Sequence, residues 1–106
     1  MSLNWHDGVL SGLVLVPRWD KKQLMDLHLK LLLYPTPVAS KRKLVNLVLQ
    51  AVRRTKLDID SLELQDNAAA GHISDAQIRR SRSGVSIAMT LTGGSIEVSA
   101  KKLKIN

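Results

Sequence analysis

Two alternating runs on either side of a glycine pair constrain this chain more than anything else in it. Val85-Ser86-Ile87-Ala88-Met89-Thr90-Leu91 puts its odd-numbered apolar positions on one side, and Ile96-Glu97-Val98-Ser99-Ala100 returns with the same period of two. Between them Gly93-Gly94 supplies the positive φ angles that a tight turn needs. The segment reads as an antiparallel hairpin with one buried face.

The period of two recurs near the N-terminus. Met25, Leu27, Leu29, Leu31 and Leu33 alternate with Asp26, His28 and Lys30, which predicts a strand; the helix propensity of Leu, Lys and Met supports a competing helix from Asp20 to Leu33. Gly8 to Val16 reads as an earlier strand, with Gly12 hinting at a bulge or a close backbone approach and Pro17 closing it. Tyr34-Pro35-Thr36-Pro37 stops regular structure, because each proline fixes its own φ and biases the residue before it toward extended geometry.

Beyond that stop the spacing predicts an amphipathic helix at about 40–56. Ser40 is placed to cap it, and Leu44, Leu47, Val48, Ala51 and Val52 share one face. Arg42, Lys43, Asn46, Gln50, Arg53 and Arg54 fall on the opposite arc. A strand with a bend near Ser61 is expected over 58–64, a loop over 66–71, a weaker strand over His72–Arg80 and a turn at Ser81–Gly84. Lys101-Lys102 breaks the alternation before Leu103 and Ile105, so the tail is either a bulged continuation or an extended basic edge.

The expected architecture is a single α+β domain over residues 1–106. Two N-terminal strands precede one helix, and a four-strand antiparallel C-terminal meander follows in a mostly antiparallel sheet, with the helix covering one face of it. Phe is absent and the aromatic residues are Trp5, Trp19 and Tyr34, so the core is built from Leu, Val and Ile. No apolar run reaches the ~18 residues of a membrane span, which favours a soluble protein, and a cytoplasmic one if the chain is complete. Without cysteine there is neither disulfide nor thiolate chemistry.

Charge is segregated along the chain. Residues 27–57 hold seven basic side chains and no acid, 58–75 carry −5 and 76–106 carry +5, within a net charge of +7. Lys41, Arg42 and Lys43 would occupy the first turn of the expected helix, where free N–H groups already favour anions, so an external anion could complete that end. Arg53, Arg54 and Lys56, then Arg79, Arg80 and Arg82, then Lys101, Lys102 and Lys104 form further basic clusters. The first nine of these twelve residues are the candidate contacts for an anionic partner. The bland alternative is solvated charge and sheet-edge lysines that block aggregation.

Catalytic and metal motifs are missing. His6, His28 and His72 lie far apart; His72 has Ser74 and Asp75 nearby, but on one strand Asp75 would point away from both. Asp58, Asp60, Glu63 and Asp66 lack the spacing and central glycine of a calcium loop. No Gly-Lys-Ser/Thr follows Gly93-Gly94, so it is not a phosphate loop. The expectation is a non-enzymatic module without cofactor, metal or small-molecule substrate.

Over roughly half the chain, the expected helix with Leu57–Leu64, and later Met89-Thr90-Leu91-Thr92-Gly93, loosely resemble the small α+β assembly domains of pilus and secretion inner-membrane platforms. Those domains continue into a helix after the Leu-Thr-Gly strand, whereas here a turn and a strand follow, so the chain is not assigned to the family. The resemblance gives concrete form to the leading expectation, an interaction or assembly module that binds a protein partner or itself through its charge-striped surface. The alternative is a nucleic-acid-binding domain that grips phosphates through a basic helix face. The shortage of aromatics argues against stacking on unpaired bases, and an anionic membrane surface ranks third.

Overall fold

The period-two segments fold as strands, and so does the segment expected to be a helix. The structure, a computed structural model, describes residues 3–18, 24–59 and 71–106. Within them are six β-strands: β1 (Val9–Arg18), β2 (Leu24–Leu33), β3 (Lys43–Ile59), β4 (Ile73–Ser81), β5 (Gly84–Leu91) and β6 (Gly94–Ile105). They form one antiparallel sheet in the order β1-β2-β3-β6-β5-β4, so two three-stranded meanders are joined by the long β3–β6 ladder. There is no α-helix among the described residues.

The α+β expectation is therefore corrected to all-β, and the helix expected over 40–56 is β3. Its sequence admits both periods. Leu44, Leu47, Val48, Ala51 and Val52 make a helical stripe, while Val45, Leu47 and Leu49 make a strand face. Partner availability decides between them. In the antiparallel register Leu27 faces Leu49, Leu29 faces Leu47 and Leu31 faces Val45, and all of these leucines are 0% exposed. Burying a Leu side chain contributes roughly 1.5–3 kcal/mol, more than the few tenths per residue by which propensity favours a helix. The cost falls on the other face, where Leu44 stays 55% exposed. The likeness to α+β assembly domains, which relied on that helix, loses its footing as well.

The remaining elements follow the sequence more closely. The alternation at 25–33 is β2, so the competing helix is not formed over 24–33. The bulge suggested by Gly12 lies between Leu10 and Gly12, where Ser11 Oγ donates to the Lys30 carbonyl at 3.1 Å. The proline-rich stop is a turn in which the Ala39 N–H donates to the Thr36 carbonyl at 3.1 Å. Asp58 and Ile59 end β3; the rest of the strand expected over 58–64, and all but Gly71 of the loop expected over 66–71, lie outside the described residues. The described C-terminal meander has three strands.

Both hairpins of that meander have two-residue loops closed by a glycine. Arg82-Ser83 links Ser81 to Gly84, and Thr92-Gly93 links Leu91 to Gly94. Gly84 and Gly94 have φ of +151° and +156°, and a Cβ on either would collide with a carbonyl oxygen, that of Ala100 or of Asp58. Of the glycine pair expected to make the turn, Gly94 is the residue with positive φ.

The core lies on the inward face and is aliphatic apart from Met89: Leu27, Leu29, Leu31, Ile87, Ile96 and Val98 are each at most 2% exposed. The sheet rolls far enough for its outer strands to meet at one end. Val9 bridges His72, and the Ile73 N–H donates to the Gly8 carbonyl at 2.8 Å. At the middle of the β3–β6 ladder the inward positions step from Leu49 to Val52 and from Leu103 to Ala100, three residues instead of two. The step surrounds Ala51, whose φ is +54°.

Candidate anion-binding groove

An irregularity just after Val52 separates the basic side chains of β3. The β3–β6 register slips between Val52 and Arg54, leaving Arg53 as the extra residue of a bulge. Arg53 is thereby directed away from Arg54, its neighbour on the expected helix arc. Arg54 and Lys56 instead line a separate depression with Ser99 and Glu97, a carboxylate directly opposite Lys56.

Arg53 faces a depression of about 740 Å³ between the end of β6 and the β4–β5 hairpin. Its lining includes Arg53 and Gln50 from β3, Arg80 and Arg82 from the hairpin, and Lys101, Lys102 and Lys104 from β6, over Val85 and Leu103. No carboxylate lines it among the described residues. Among the described residues the His6–Asp7 pair, 3.2 Å apart at an exposed site, is the ion pair shown, and none of the six groove cations has an acidic partner. A smaller adjoining depression adds Arg79, Ser86 and Ser99. Arg79 is turned along its own strand, donating to Gln77 Oε1 at 3.0 Å. The turn is tied by Ser81 Oγ, 3.1 Å from Ser83 Oγ and 3.4 Å from the Gly84 carbonyl.

The nine residues expected to contact an anionic partner are thus divided. Arg53, Arg80 and Arg82 converge, and Arg79 lies beside them. Lys41, Arg42 and Lys43 sit between β2 and the start of β3, with no helix end for an anion to complete. Arg42 Nε donates to the Asp7 carbonyl at 3.0 Å and its guanidinium lies 4.9 Å from the Tyr34 ring centroid, a cation–π contact. Lys43 borders an apolar depression with Leu3, Tyr34 and Ile105. Lys101, Lys102 and Lys104 were recognisable as a basic cluster, but their place in the site depends on β6 crossing the middle of the sheet, which the sequence does not disclose.

The groove can attract negative charge over about 8 Å at physiological ionic strength, and guanidinium groups can hold carboxylate or phosphate through paired N–H donors. No three His, Cys, Asp or Glu side chains come together among the described residues to hold a metal. His72 lies at the β1–β4 seam, where its carbonyl accepts the Thr92 N–H at 3.0 Å.

Comparisons with protein-family models, curated proteins and solved structures give no match for this chain. Its function has to be argued from the groove itself.

Proposed function

We propose that this protein is a non-enzymatic interaction module whose basic groove binds an acidic surface of a partner protein. One observation carries the reading: six cationic side chains from β3, the β4–β5 hairpin and β6 line a single depression that no carboxylate of the described residues enters. Holding like charges together without internal compensation favours association with an oppositely charged surface, which speeds encounter and selects the partner.

The test is a titration of fluorescein-labelled polyglutamate followed by anisotropy at two salt concentrations, with the mass of the protein in solution recorded alongside. The expected result is binding that weakens as salt rises. A 20-base-pair duplex titrated in parallel examines the alternative, since duplex affinity set by phosphate contacts falls steeply with salt. Tight duplex binding with no response to polyglutamate would replace the protein-partner reading by the nucleic-acid one. A discrete oligomer that is indifferent to both would move the contact to another surface.

A further inference from the structure

The groove has a main-chain wall as well as charged ones. β6 pairs with β3 as far as Leu47↔Ile105, but its pairing with β5 ends at Val85↔Ala100. From Lys101 to Ile105, β6 has a neighbouring strand on one side alone among the described residues. That stretch is about 17 Å long at ~3.4 Å per residue. It borders the groove, with Arg80 and Arg82 of the hairpin across from it.

Hydrogen-bond alternation shows which groups are free. Asn46 and Asn106 exchange both N–H···O bonds, at 3.0 and 2.9 Å. In an antiparallel pair such residues alternate with ones whose amides turn the other way. Lys104 and Lys102 therefore direct their main chain to β3, while Leu103 and Ile105 direct their N–H and C=O groups to the open side. No described strand or turn residue meets them there. Side chains alternate too: Lys102 and Lys104 are exposed, whereas Leu103 and Ile105 pack against the core.

We infer that the groove takes an extended acidic segment of the partner protein, which adds as a strand to Lys101–Ile105 of β6. This rests on the proposed protein-partner reading and specifies how the contact is made. An added strand places its residues opposite Lys102 and Lys104 on the outer face and those opposite Leu103 and Ile105 on the inner one. The matching segment alternates acidic with apolar residues over five or so positions. A second copy of this chain is a poor occupant, because pairing two β6 edges would set lysine against lysine. A nucleic-acid backbone could meet the cations but offers no donor-and-acceptor ladder for Leu103 and Ile105.

The test uses the whole protein and a labelled hexapeptide alternating glutamate and valine. Its partners are a version N-methylated at alternate residues on either register, a scrambled hexapeptide of the same composition, and polyglutamate. The expected result is that the alternating peptide binds best and slows amide exchange at Leu103 and Ile105. N-methylation on the pairing register weakens it at least about tenfold, the loss of two or three main-chain bonds, whereas methylation on the other register does not. Equal binding of the methylated and scrambled peptides, with polyglutamate still bound, would overturn strand addition while leaving a charge-reading groove intact. If none of the acidic polypeptides bound, or if a duplex displaced them from the same lysines, the underlying protein-partner reading would fail as well.

Discussion

Asp26 Oδ1 accepts the N–H of Ala51 at 3.0 Å, and Ala51 is the one non-glycine strand residue described with positive φ. A side chain on β2 thus holds β3 at the point where its inward positions change parity. Without that step Val52 and Ala100 could not follow Leu49 and Leu103 into the core.

Left-handed backbone costs an L-residue about 1–2 kcal/mol, which glycine avoids. Ala51→Gly should therefore stabilise the protein, by up to about 1 kcal/mol after the extra unfolded-state entropy of glycine is subtracted. Asp26→Ala should destabilise it by about 1–3 kcal/mol through the lost acceptor. Urea denaturation of the two variants checks both signs.

Gly84 and Gly94 close the two hairpins of the C-terminal meander with no room for a methyl group. Gly84→Ala and Gly94→Ala should each cost more than about 2 kcal/mol, since positive φ and the collision with a carbonyl add together. Shifts in melting temperature report this, and a change below about 0.5 kcal/mol would contradict the turn geometry.

Leu44 and Leu47 separate a strand from a helix directly. On a helix they share one face; on β3 they lie on opposite faces, Leu47 at 0% and Leu44 at 55% exposure. Leu47→Ala should cost about 2–5 kcal/mol, and Leu44→Ala no more than about 0.5 kcal/mol. Comparable losses at both positions would argue for the helix.

Where apolar and polar positions alternate, as in Val85–Leu91, the sequence was enough to place the strand; over Met25–Leu31 the alternation pointed to a strand, but the helix propensity of Leu, Lys and Met kept a helix open, and the pairing with Val45, Leu47 and Leu49 decides it. The Leu10/Gly12 bulge was legible as one of two alternatives, because glycine inside a strand marks either a bulge or a close backbone approach. In β3 the pattern failed: Leu44-Val45 and Leu47-Val48-Leu49 satisfy both periods, and the choice depends on Leu27, Leu29 and Leu31 arriving from another strand. For the site, charge clusters were visible as composition, and only the β6–β3 pairing shows that Lys101, Lys102 and Lys104 meet Arg53, Arg80 and Arg82. The conspicuous run Lys41-Arg42-Lys43 is engaged elsewhere, with Asp7, Tyr34 and an apolar depression as its surroundings.

The most direct measurement compares labelled polyglutamate binding, by anisotropy, for Arg80→Glu/Lys102→Glu and Lys41→Glu/Lys43→Glu. Both double variants lower the net charge of +7 by the same amount, and all four side chains are exposed, so folding and overall charge are matched. The groove variant is expected to lose binding at least about tenfold, as two charge-assisted contacts are removed, and the other variant to keep most of it. Equal losses in the two would mean that net charge, and not the convergence of β3, β6 and the β4–β5 hairpin, attracts the partner.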